Sequence, residues 1–163
     1  MLKKKFKSIF ILICAIIITE KSFSIEPNIF VQSTVNRASQ ILSEDTSKNE
    51  KIDKLKVIAK ETVDIRGIGF YTLGKYRKTL NDIQKDKYSE LFYEYFLKSF
   101  SSRLSEYSNP KIDVQSQEKL NENYTIVSSI LVATETRPEV KIQWRIYTKN
   151  PEKPMIRDLI IEG

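Results

Sequence analysis

The sequence predicts an α+β fold in which N-terminal helices cup one curved antiparallel sheet of about four strands. Three observations predict it. Apolar residues recur at steps of three and four as far as Tyr107, the period of a helical face. After Pro110 they alternate with period two instead, as half-buried strands do. The connections between the alternating segments are short, which suits an antiparallel meander. At 163 residues the chain is long enough for one domain with a substantial core, and too short for two comfortable ones.

A targeting segment precedes the fold. Lys3, Lys4, Lys5 and Lys7 stand before an uninterrupted apolar run from Ile9 to Ile18. Ser22 and Ser24 then supply small residues at the two positions a signal peptidase reads. Residues 1–24 are therefore expected to be a cleavable signal peptide, with Ile25 the first residue of the mature chain. The run is short against the about 20 apolar residues of a membrane span. An uncleaved anchor carrying an interaction domain is the alternative. Cys14 is not read as a lipidation site, because Ile13 stands where a small residue is required and the cysteine lies in mid-run.

Composition excludes several classes. The net charge is +6, but Lys3, Lys4, Lys5, Lys7 and Lys21 against Glu20 concentrate it at the start, leaving 22 basic and 20 acidic residues in the remainder. So balanced a domain has no field for a nucleic-acid backbone. Cys14 is the only cysteine, so the mature chain has neither disulfides nor thiol chemistry. There is no histidine, which removes Ser-His-Asp and Cys-His catalysis and most zinc sites. No catalytic residue, metal or cofactor is assigned.

In chain order, Pro27 suits a helix first turn, and Phe30, Val31, Val35, Ala38, Ile41 and Leu42 mark an amphipathic helix ending near Ser43. Ser47 and Glu50 have capping-box spacing before a second helix whose face is Ile52, Leu55, Ile58 and Ala59. A third, shorter helix is expected from Asp64 to Leu73, weakened by Gly67 and Gly69 and closed by Gly74 as a left-handed cap. Lys75, Arg77 and Lys78 follow in the turn, and Thr79 with Asp82 is expected to cap the next helix.

That fourth helix is the unusual element. Tyr88, Leu91, Phe92, Tyr95, Phe96, Phe100, Leu104 and Tyr107 keep helical spacing up to a stop at Ser108-Asn109-Pro110. So wide an aromatic stripe needs a large apolar surface to lie against. Strands are then expected at Lys111 to Gln117, Tyr124 to Thr134, Val140 to Tyr147, and Met155 to Glu162. The second carries apolar residues on both faces. The third points Val140, Ile142, Trp144 and Ile146 one way and Lys141, Gln143, Arg145 and Tyr147 the other.

Short motifs along this chain occur in the order of a known family. They are Asp64 within Val63-Asp64-Ile65, the turn Leu73-Gly74-Lys75-Tyr76-Arg77, the polar helix start Thr79 to Gln84, and the aromatic helix positions Tyr88, Phe92, Phe100, Leu104 and Tyr107. Gln143-Trp144-Arg145 and the closing Asp158 to Gly163 complete the set. From about Pro27 to Gly163 the chain resembles the MlaC family, periplasmic phospholipid carriers also called toluene-tolerance or ABC-transporter auxiliary proteins. The family usually continues past the closing Glu-Gly with a further helical segment.

The resemblance implies a non-enzymatic lipid shuttle that serves outer-membrane lipid asymmetry. Its partners would be phospholipid, an outer-membrane lipoprotein complex, and an inner-membrane ABC transporter with an MCE-domain subunit. It implies a mature domain over residues 25–163 with an apolar cavity between helices and sheet. The chemistry is consistent: about 30 acyl methylenes at about 0.8 kcal/mol each make roughly 24 kcal/mol of exposure in water, so a carrier must offer a dry cleft. The expected lining is Phe70, Leu73, Tyr76, Phe92, Phe96, Phe100, Leu131, Val140, Ile142, Trp144 and Ile146, with Lys75, Arg77 and Lys78 meeting a head group or an acidic partner surface. The same residues also suit plain core, and the three cations suit a helix C-terminus. The enzyme alternative is a small NTF2-like site using carboxylates, with Asp64, Asp113 and Glu162 as candidates.

Overall fold

Pro27 opens the first helix, α1 (Pro27–Ser43), at the position where its missing N–H leaves nothing unpaired. The computed structural model describes residues 24–162, so the expected signal peptide, apart from Ser24, lies outside the described residues, as does Gly163. Helix α1 buries Val31, Thr34, Val35 and Leu42. Helix α2 (Lys48–Thr62) begins with the expected capping box: Ser47 Oγ accepts from the Glu50 N–H, and Glu50 returns a carboxylate to the Ser47 N–H at 3.0 Å. It buries Leu55, Ile58, Ala59 and Thr62. No helix among the described residues is long and apolar enough to cross a membrane.

Helix α3 (Ile65–Thr72) is capped by Asp64, whose carboxylate accepts from the Gly67 N–H at 2.8 Å. Gly74 follows at φ 53°, the left-handed conformation expected of it. Lys75, Arg77 and Lys78 then lie in a 3₁₀ turn, Gly74–Lys78, where none of them is buried. The long helix α4 spans Asp82–Leu104.

The cap of α4 differs from expectation. Thr79 gives its hydroxyl to the Tyr76 carbonyl at 3.0 Å, closing the 3₁₀ turn, and so is not available to the helix. Asn81 and Gln84 form the capping box instead. The helix also stops short of Ser108. Glu106 and Tyr107 donate back to Arg103 and Leu104 in tight three-residue turns, and Asn109 at φ 47° redirects the chain.

The buried face of α4 is turned about one residue from the aromatic stripe. Leu91 and Tyr95 are 58% and 67% exposed, while Leu97 and Ser101 are buried. Part of the reason is that the rings serve one another: Tyr88, Phe92, Phe96 and Phe100 meet along the helix at centroid distances of 5.8, 6.2 and 5.2 Å, stacked at both ends and tilted between Phe92 and Phe96. Packing supplies the rest. Helix α4 lies on α2 and α3, and it is α1 that packs on β1 and β2.

The sheet is the expected antiparallel meander, β1 (Ile112–Asn121), β2 (Tyr124–Leu131), β3 (Val140–Tyr147) and β4 (Met155–Glu162), in the order β1-β2-β3-β4. Strand β1 runs beyond Gln117 because the tight turn at Asn121 to Tyr124 keeps the ladder paired to its end. Strand β2 ends at Leu131, before the turn that Thr134 and Arg137 close. Thr125, Val127, Ser129 and Leu131 on β2 are buried, whereas Ile126, Ser128 and Ile130 are half-buried, so one face of the sheet rather than both carries the core. On β3 the expected face, Ile142, Trp144 and Ile146, is buried. Val31, Val35, Ala59, Leu97, Val127, Ile146 and Ile156 join the same cluster between helices and sheet.

A candidate lipid cavity between helices and sheet

The helix-facing side of the sheet is not filled throughout. A cavity of about 320 Å³ remains between the sheet and α1, α2 and the C-terminal end of α4, within the roughly 300–1,000 Å³ typical of ligand sites. Helix α1 contributes Thr34, Val35, Ala38, Ser39 and Leu42, and α2 contributes Leu55, Ile58, Ala59 and Thr62. Their spacing is the same apolar face that forms each helix. Phe100, Leu104, Tyr107 and Pro110 close one side; Ile112, Leu131, Val140, Ile142, Trp144, Ile156, Leu159 and Ile161 form the floor.

Three of the polar side chains in these walls are turned to partners of their own. Thr34 donates to the Phe30 carbonyl and Thr62 to the Ile58 carbonyl, each at 2.8 Å within its own helix. The Trp144 indole N–H donates to Ser129 Oγ at 2.8 Å across the β2–β3 pair. The walls are otherwise mostly apolar, and such a cavity favours apolar content. Among the described residues, Arg137, from the β2–β3 loop, is the one charged residue in the lining.

Of the residues expected to line a lipid site, Phe100, Leu131, Val140, Ile142 and Trp144 are brought together here. Ile146 is wholly buried in the core below, and Phe92 and Phe96 pack against that core from α4. Phe70 lies under the Arg66 guanidinium, Leu73 caps α3, and Tyr76 is 61% exposed in the 3₁₀ turn. Lys75, Arg77 and Lys78 precede the start of α4, whereas the cavity meets its end. At 1.5 Å per residue that helix is roughly 34 Å long. Absent from the expected set were the α1 and α2 walls, whose spacing had announced buried helix faces, together with Leu104, Tyr107, Pro110, Ile112, Ile156, Leu159 and Ile161, and Arg137, which no sequence pattern marked.

The candidate carboxylates do not converge. Asp64 caps α3 and also binds Arg157, whose Nε donates to it at 2.8 Å with a second, shorter bond from Nη2. Arg157 further donates to the Tyr124 hydroxyl at 2.7 Å and lies 4.1 Å from the Tyr147 ring centroid. Burial alone would lower the Arg157 pKa, but the bonds to Asp64 and Tyr124 raise it above its ordinary value. The register shift in the β3–β4 pairing falls at this residue: Arg145 pairs with Asp158 and Ile146 with Ile156. Asp113 and Glu162 stand on opposite edge strands, in register through Ile130 and Lys141. Three strand spacings put them roughly 14 Å apart. Among the described residues no group of three or more cysteines or carboxylates could hold a metal.

Comparison with known proteins agrees with this architecture. The family model described as MlaC protein matches residues 32–163. The intermembrane phospholipid transport system binding protein MlaC of Haemophilus influenzae is 24% identical over 160 residues, covering 93% of this chain and 75% of its own length. The fold matches that of a phospholipid-binding protein from Ralstonia solanacearum, solved in complex with a phospholipid, with a TM-score of 0.68. That alignment is 12% identical and covers 85% of this chain and 79% of the other.

Proposed function

The chain belongs to the MlaC family, and on that premise we propose that it is a periplasmic carrier that holds phospholipid acyl chains in the cavity between helices and sheet. The observation that carries this reading is the cavity itself, with apolar walls supplied by α1, α2, the end of α4 and the sheet. Apolar walls that face no side chain forfeit packing contacts, which an apolar guest restores. A chain with a spare core volume of this size is stabilised by an apolar guest, and acyl chains are such guests.

The work proposed is binding and release, with no bond made or broken, which suits a chain without histidine and with its only cysteine at position 14. The mature domain would run over residues 25–163 after cleavage of the signal peptide. It would exchange lipid with an outer-membrane lipoprotein complex and with an inner-membrane ABC transporter bearing an MCE-domain subunit. Lys75, Arg77 and Lys78, exposed at the far end of α4 from the cavity, are the cations offered to acidic partner surfaces.

Transfer between vesicles tests this. Donor vesicles with a self-quenched fluorescent phospholipid, mixed with acceptors and catalytic amounts of protein, should dequench at a rate proportional to protein, with the lipid recovered intact. Hydrolysed lipid would turn the reading towards an enzyme, and a rate no faster than without protein would remove the carrier.

A further inference from the structure

Arg137 is placed where an apolar wall has no use for charge. Its backbone is fixed by a tight turn, in which Thr134 N–H donates to the Arg137 carbonyl at 2.8 Å and Arg137 N–H returns to Thr134 at 3.4 Å. The guanidinium lies 5.3 Å from the ring centroid of Tyr107, itself a lining residue. Its Nε is buried with no hydrogen-bond partner. Glu135 and Glu139 flank it in sequence, yet among the described residues Arg137 makes no ion pair. The contrast with the other half-buried arginines of the sheet is informative. Arg157 is held by Asp64 and Tyr124; Arg145, whose Nε is likewise unpaired, still meets Asp158 through Nη1, so Arg137 alone of the three lacks an anion among the described residues.

A partly desolvated guanidinium without an anion is unfavourable, and one that meets an anion is correspondingly strong. Its planar fork of donors fits two oxygens of a phosphate at once. We propose that Arg137 is the anion subsite of this cavity and receives the phosphodiester of a lipid whose acyl chains lie against the apolar walls. This rests on the reading that the cavity takes acyl chains. Because the lining holds no second charged group among the described residues, the subsite recognises the phosphate and not the alcohol attached to it. Phospholipids with different head alcohols load alike, and diacylglycerol, with the same chains and no phosphate, loads poorly.

The test offers delipidated protein vesicles containing phosphatidylethanolamine, phosphatidylglycerol and diacylglycerol, then quantifies the lipids on the re-isolated protein by mass spectrometry. Wild type should favour both phospholipids over diacylglycerol by about tenfold or more, the range of charge-assisted hydrogen bonds, without separating the two phospholipids. R137Q should keep its diacylglycerol uptake and lose most of that preference, with R137K between them. A wild type without the preference, one that sorts the two phospholipids, an R137Q protein with the wild-type ratio, or a folded R137Q protein that takes neither class overturns the subsite. Wild type that takes up no lipid of any class overturns the carrier reading instead.

Discussion

Replacing Ala38 with phenylalanine sends a ring into the cavity. Ala38 lies half-buried on α1 in the cavity wall. If the space beyond it is empty in the lipid-free protein, burying the ring contributes roughly 1.5–3 kcal/mol. Phenylalanine is a poorer helix former than alanine by about 0.5 kcal/mol, so the net change is a stabilisation of about 1–2.5 kcal/mol. For a domain of this size that raises the melting temperature by roughly 3–10 °C. If the region were already filled by protein, the same ring would overpack it and cost about 1–3 kcal/mol. The sign therefore decides. Urea unfolding of the delipidated proteins, followed by fluorescence of the single tryptophan, Trp144, reads the stability; lipid extraction from undelipidated samples reads the occupancy. The expected result is a more stable apo protein with less bound phospholipid. A destabilised variant carrying the wild-type amount of lipid would refute the reasoning on both counts.

Three further outcomes follow from the scaffold around the cavity. Asp64→Ala removes a helix cap and leaves Arg157, 29% exposed, without its carboxylate; it should cost about 2–4 kcal/mol in urea unfolding, and a loss below 0.5 kcal/mol would show the pair to be unimportant. Gly74→Ala meets no atom within 4 Å, so its cost, about 1–2 kcal/mol, should be that of the left-handed backbone alone. The Ser47 backbone and hydroxyl hold the Glu50 carboxylate below its ordinary pKa. A lowered folded-state pKa means stability present above the unfolded value of 4.5 and lost as pH falls through the folded one. Glu50→Gln should thus be less stable than wild type at neutral pH and converge with it in acid, as read by melting curves from pH 3 to 7.

What the sequence made legible is what neighbouring residues decide among themselves. Pro27, the Ser47–Glu50 box, Gly74 and the alternation of β3 each carry their geometry within a few residues, and each forms as expected. The cap of α4 was misplaced because Thr79 had a competing acceptor in the Tyr76 carbonyl, a choice settled only by the 3₁₀ turn. The stripe of α4 was right only in part: Phe92, Phe96 and Phe100 pack on the core, whereas Leu91 and Tyr95 face solvent. Most of the lining was hidden for a deeper reason. A face such as Val35, Ala38 and Leu42 is written in the same residues whether it meets another side chain or a void. Arg157 and Arg137 were invisible because their roles depend on a partner 93 residues away in one case and, in the other, on the absence of an ion pair among the described residues.

Native mass spectrometry of the folded protein, purified without detergent and followed by lipid extraction, tests the central claim most directly. The account predicts mass additions matching one or more diacyl phospholipids, with the same lipids recovered in the extract. A folded protein of clean apo mass, with no phospholipid in the extract, would contradict it.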